Sequence, residues 1–219
     1  MKKQLFSTLS LAALAVAGGM ILSSSSCGGE DTTPPVVTLT GDDHKDVVLN
    51  DSYTDEGATA EDDEDGTVTV TDDATDVNTD KTGTYTITYT ATDAAGNAGT
   101  ATRTVVVYNV AEDLEGNWDA SDVCDGTGYT YTVDVTSSST VNNKISIGGF
   151  WNGAFINPIE ATVSGTAVTI ASQEPDGDLF FVDGTGSITG SIMTLDYTVT
   201  ETDITPSITT SCSVTYQQQ

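Results

Sequence analysis

The chain has 219 residues, with 33 acidic against 6 basic side chains, one histidine and a formal net charge of −27. Such a surface repels nucleic acid and anionic headgroups, which excludes nucleic acid as a partner and favours divalent cations and cationic molecules. Thr, Ser, Val, Asp and Gly dominate, a composition of strands and frequent turns with room for two small domains. The first element does not belong to the fold. Lys2 and Lys3 give a basic start, Leu9 to Leu22 is an uncharged apolar run, and Ser23 to Ser26 are small. That is the anatomy of a secretory signal peptide over residues 1–26, with an apolar run shorter than the about 20 residues of a transmembrane helix. Its removal takes two lysines and no acid, so the mature chain is more acidic still.

Cys27 follows directly. The junction resembles the bacterial lipobox, although serines separate Leu22 from the cysteine by more than the commonest pattern does. The resemblance implies that Cys27 is the lipidation site and mature N-terminus, so that a membrane is the partner, reached through acyl chains. An ordinary signal peptide beside an unmodified cysteine is the competing reading. Residues 27–33 read as a lipidated tether that ends at the stiff Pro34-Pro35. Glu30 and Asp31 resemble the acidic signals that send lipoproteins to the outer face of the outer membrane, which implies an outer-membrane, surface-exposed location; a plain acidic linker is the alternative.

Residues 34–110 form the first expected domain. Val36 to Thr40 is a strand candidate, Thr67 to Thr71 and Thr84 to Ala91 alternate apolar with polar, and Thr102 to Tyr108 ends in a denser apolar stretch. Alternation puts one face in a core and threonines on the other, and Asp65-Gly66 and Ala95-Gly96-Asn97 supply turns, so a β-sandwich is expected. The run from Asp31 to Leu39, then Tyr53 to Ala60, Gly83 to Tyr89 and Ala91 to Ala98, resembles the immunoglobulin-like modules of bacterial surface proteins and pesticidal crystal proteins. Glu56 stands where that family usually has proline. The resemblance implies a spacer or adhesion module without chemistry of its own.

Residues 111–219 form the second. Tyr129 to Val135 alternates cleanly, and Val163 to Ile170 aligns with Ile188 to Leu195, each unit reading strand, glycine turn, strand. Repeated hairpins make an up-and-down meander, and about eight strands close a small barrel. Leu114-Glu115-Gly116-Asn117-Trp118 resembles the opening of lipocalin-like barrels, and Cys212 to Tyr216 resembles the last strand of lipocalin-like domains in bacterial lipoproteins. The expected fold class is therefore all-β: an N-terminal immunoglobulin-like sandwich followed by a small antiparallel lipocalin-like barrel.

Candidate sites are few. Cys124 lies beside the first barrel strand and Cys212 begins the last, so in an exported domain they are expected to form a disulfide; two free buried thiols are the alternative. The acidic run Glu61 to Asp65 offers Asp62, Asp63 and Asp65 as oxygen ligands for Ca2+, without EF-hand spacing, against the simpler reading of a solvated hairpin turn. Phe150, Trp151 and Asn152, bracketed by Gly148-Gly149 and Gly153, read as an exposed patch for a glycan or protein ligand; the competing reading puts Phe155 and one of Phe180 or Phe181 in the core, with Trp151 covering an open end. His44, the sole histidine, is expected in a charged loop. No nucleophile elbow, P-loop, H-E-x-x-H or C-x-x-C is present, so no catalytic residue is assigned. The expectation is a non-catalytic lipoprotein whose spacer presents a binding barrel. A small-ligand carrier using the barrel interior is the first alternative, and a glycoside hydrolase built on two carboxylates the second.

Overall fold

Alternating threonine strands fold the N-terminal region into a pair of sheets. A computed structural model describes residues 30–177 and 179–219; the signal segment, Cys27 and Gly28-Gly29 lie outside them. Strands β1 (Val36–Leu39), β3 (Ala58–Asp62) and β4 (Gly66–Val68) form one antiparallel sheet, in the order β1-β3-β4. Strands β2 (His44–Val48), β7 (Ala98–Tyr108), β6 (Gly83–Thr92) and β5 (Val70–Asp72) form the other, in that order, with β2 parallel to β7. The expected Thr67–Thr71 strand is broken at Thr69, so its halves serve different sheets. His44 begins β2 instead of lying in a loop, with Nε2 2.9 Å from Asp46 Oδ1.

Every second residue of β6 and β7 faces inward, so Ile87, Tyr89, Val105 and Val107 join Val47 and Leu49 in the sandwich core. The same alternation carries Arg103 into the interior, where it is fully buried. Its guanidinium pairs with Asp55, donates to the Tyr89 hydroxyl at 2.9 Å and to the Asp42 carbonyl at 2.9 Å, and reaches the Thr40 carbonyl. A buried cation is tolerable only with such a full set of partners. Glu56 forms an ion pair with Lys45 at 2.7 Å. The crossing of the chain entry over β7 requires glycine at position 99, because a Cβ there would lie 1.8 Å from the Pro35 carbonyl oxygen.

Strands β8 (Gly116–Cys124), β9 (Thr127–Ser137), β10 (Lys144–Gly148), β11 (Ile159–Ser164), β12 (Ala167–Gln173), β13 (Phe180–Thr189), β14 (Ile192–Glu201) and β15 (Ile208–Gln218) pair in sequence and close into a barrel through β15 and β8. This is the up-and-down topology. The two aligned repeat units are the hairpins β11–β12 and β13–β14, turning at Gly165 and Gly190, each with φ 60°. Phe181 and Ile188 lie on one long strand, β13, of the eight that close the barrel. The interior is filled by Trp118, Val133, Ile145, Ile147, Ile159, Val168, Ile170, Met193, Leu195, Val214 and Tyr216. Side chains therefore occupy much of the space that a small-ligand carrier would use.

Cys124 and Cys212 form a disulfide across the closing strand pair, 88 residues apart in sequence. The residues from Thr32 onward form one compact unit. Within it, Asn109, fully buried after β7, joins sandwich to barrel. Its amide donates to the carbonyls of Ser138 (2.8 Å) and Val141 (3.1 Å), and its oxygen accepts the Ala111 and Asn143 amides at 3.0 Å each. Thr82 N donates to Ser139 O at 2.9 Å, and Asn50 bonds Thr140 O and the Asn142 amide.

Candidate functional site

One end of the barrel holds a cleft of about 360 Å³ lined by both Trp151 and Asn152 of the expected patch. The glycines around them set its form. Gly149 and Gly153 have φ of 75° and 73°, and between them Trp151 (φ 53°) and Asn152 (φ 54°) are also left-handed. A tryptophan with positive φ is an outlier that surrounding structure must hold in place. The hold is visible: Gly153 N donates to Gly149 O at 3.0 Å, Ala154 N to Trp151 O at 3.1 Å, and the Trp151 ring stacks on Phe155 at 5.5 Å.

Phe150 departs from the expectation. It is buried and packs edge-on against Tyr197 at 4.7 Å, so it is core and does not belong to an exposed patch. The left-handed turn is the reason, since it directs Phe150 inward and leaves Trp151 half-buried at the rim. Phe155 is core, as the competing reading had it, and Trp151 covers the barrel end while lining the cleft.

The floor was not visible in the sequence. Asp122, 1% exposed, lies on β8 among apolar neighbours. Its Oδ2 accepts hydrogen bonds from the hydroxyls of Tyr131, at 2.8 Å, and Tyr197. Its Oδ1 faces the Cys124 sulfur at 3.7 Å, and a disulfide sulfur has no proton to give. Burial, then the bond to Asp122, pushes both phenols above their ordinary range, and burial does the same to Tyr216. All three hydroxyls therefore stay protonated at neutral pH. Asp125, in a left-handed turn, and the exposed Tyr129 complete the rim. The arrangement is an acceptor-rich hollow with aromatic walls, suited to a neutral or cationic molecule that brings several donors. Asp122, Cys124 and Cys212 lie close enough to suggest a metal triad, but the bridged sulfurs are not thiolates and cannot ligate as such.

A larger groove of about 690 Å³ runs over the outside of the barrel, lined by Asp183, Thr185, Asp196, Thr198, Ser211 and Ser213 among others. Gly184 and Gly186 let β13 press onto β14 there, since a Cβ on Gly186 would lie 1.8 Å from the Thr194 carbonyl oxygen. Its one aromatic lining residue is Tyr197, against Tyr129, Tyr131 and Trp151 in the end cleft.

The acidic run is divided by the fold. Asp63 and Asp65 are exposed, while Asp62 is 8% exposed at the end of β3. Asp62 Oδ1 accepts the amides of Glu64 (2.9 Å) and Asp65 (3.0 Å), and Asp65 Oδ2 accepts the Ala94 amide (2.7 Å) of the neighbouring turn. That turn holds Asp93, 7% exposed, which the sequence reading did not single out. The three expected ligands are therefore not brought together: Asp65 binds protein backbone, and Asp62 meets Asp93 instead.

In shape the chain is similar to the crystal structure of the lipoprotein BT2262 from Bacteroides thetaiotaomicron, at 17% sequence identity over 84% of this chain and 100% of that chain, with a TM-score of 0.37. No curated protein matches the chain. Residues 37–107 match the family model described as bacterial surface protein, Ig-like domain, so the N-terminal sandwich is similar to the Ig-like domains of bacterial surface proteins.

Proposed function

We propose that this chain is a non-catalytic lipoprotein of the cell envelope, anchored through Cys27 to the outer membrane, whose Ig-like sandwich is a spacer holding out a barrel that binds a glycan in its end cleft. One observation supports the binding reading: among the described residues, Asp122 Oδ1 is an acceptor without a protein donor, at the floor of a hollow walled by Tyr129, Tyr131, Trp151 and Asn152. Sugar hydroxyls supply donors, and sugar faces stack on indole and phenol rings. Asp122 is held by two phenols as a fixed acceptor, which supports binding over acid catalysis by a carboxylate pair.

The test is a glycan array probed with the lipid-free protein from Gly28 onward. A defined glycan class should bind, and Trp151→Ala should reduce that binding at least tenfold while the barrel stays folded. An array without binders, or equal binding by the variant, overturns the glycan reading. For the anchor, Cys27→Ser should leave the protein unprocessed or release it from the membrane fraction. Full membrane retention of a processed variant overturns lipidation.

A further inference from the structure

We propose that the end of the sandwich where the β3–β4 and β6–β7 turns meet is a calcium site built on Asp62 and Asp93. Both carboxylates are more than nine-tenths buried, and an oxygen of each lies within 4.8 Å of the other. Asp62 Oδ1 is taken by the Glu64 and Asp65 amides, whereas Oδ2 is buried without a hydrogen-bond partner. Asp93 is fixed just as firmly: Oδ1 accepts the Gly96 and Asn97 amides, and Oδ2 the Asn97 side-chain amide at 2.8 Å. Two like charges thus come close together from turns tied by backbone hydrogen bonds, and one of them carries a buried oxygen without a partner. An uncompensated carboxylate oxygen away from water is costly, and a cation bridging the pair removes that cost.

Cation size favours calcium. Two Ca–O bonds of about 2.4 Å span separations up to about 4.8 Å, and calcium accepts irregular oxygen sets completed by water and backbone carbonyls. Magnesium requires a near-octahedral shell at about 2.1 Å, which two carboxylates already locked by backbone amides cannot adjust to provide. The Asp65 bond to the Ala94 amide ties the two turns together, so the cation would brace one end of the spacer.

The test is a calcium titration of the EDTA-treated, lipid-free protein by calorimetry and by two-dimensional NMR, at constant ionic strength and with magnesium in parallel. We expect one saturable calcium site, absent with magnesium, with movement confined to the amides of Glu64, Asp65, Gly96 and Asn97. Asp62→Asn keeps an oxygen for the two amides and replaces the bare oxygen, so it should stay folded and weaken calcium binding at least tenfold, while Asp63→Asn should not. Diffuse shifts over the acidic surface without saturation, saturation mapping elsewhere, or unchanged affinity in a folded Asp62→Asn variant each overturn the site. The wild-type map decides the matter even if the variant does not fold.

Discussion

Arg103→Ala is the sharpest probe of the sandwich. The guanidinium is fully buried, and the side chain of its partner Asp55 is only 12% exposed. Truncation leaves the Asp55 carboxylate without its cation, the Tyr89 oxygen without a donor, and the Asp42 and Thr40 carbonyls without partners. Removing one member of a buried pair costs about 3–5 kcal/mol, most of it from the charge left behind. For a domain of this size each kcal/mol lowers the melting midpoint by roughly 4–8 °C, so a fall of more than roughly 12 °C is expected for the sandwich. Sandwich and barrel can be followed separately because both tryptophans, Trp118 and Trp151, lie in the barrel. Tryptophan fluorescence in urea reports the barrel, and amide exchange at Ile87, Tyr89 and Val105 reports the sandwich core. Pairing Arg103→Met with Asp55→Leu should recover much of the loss, since the second change removes the stranded charge. A loss below about 1 kcal/mol in Arg103→Ala, or no recovery in the double variant, would refute the reasoning.

Three further outcomes are expected. Cys124→Ser should destabilise the barrel by about 4–5 kcal/mol on the chain-entropy estimate for an 88-residue separation, leaving the sandwich core nearly unchanged; mass spectrometry finding two free thiols in the unreduced protein would refute the bridge itself. The sandwich should weaken in acid. Burial alone would raise the Asp55 carboxyl, but hydrogen bonds from Tyr89, Tyr53, the Gly57 amide and Arg103 outweigh it and hold the group below its usual value. Its contribution is therefore complete above the unfolded value of about 4 and is lost as the pH falls through the lower folded value; a sandwich equally stable at about pH 5 and pH 2 by amide exchange would contradict this. Asn109→Ala orphans the Ala111 and Asn143 amides, at about 1–3 kcal/mol for each buried group, and should loosen the barrel against the sandwich; unchanged residual dipolar couplings across sandwich and barrel would show that Asn109 does not fasten them.

What could be read in advance followed periodicity. The threonine alternation of β6 and the paired glycine hairpins of the barrel are local patterns, and local patterns survive in a single sequence. β2 was missed because His44-Lys45-Asp46 is polar at every position and pairs, in parallel, with a strand sixty residues away. Arg103 and Asp122 sit in otherwise ordinary alternating strands, and nothing in their neighbours announces the partners that tolerate their burial. Phe150 and Trp151 are adjacent and chemically alike; only the left-handed turn decides which of them faces the core. The same holds for Asp62, whose counterpart Asp93 comes from a different hairpin.

The parallel pairing of β2 with β7 also determines how the sandwich would carry load. β7 runs on into the barrel, while the chain enters from the side of β1 and β2. A pull that draws the start of β2 away from the end of β7 acts along the strands, so the five pairs from His44↔Thr104 to Val48↔Tyr108 bear it together in shear. An antiparallel pair opened from its free end would instead unzip one bond at a time. Because Asn109 follows directly on the last of these pairs, tension on the barrel reaches β7 with little slack. A sandwich wired this way would resist tension through the rate at which the whole paired stretch shears, a kinetic strength that equilibrium stability does not report.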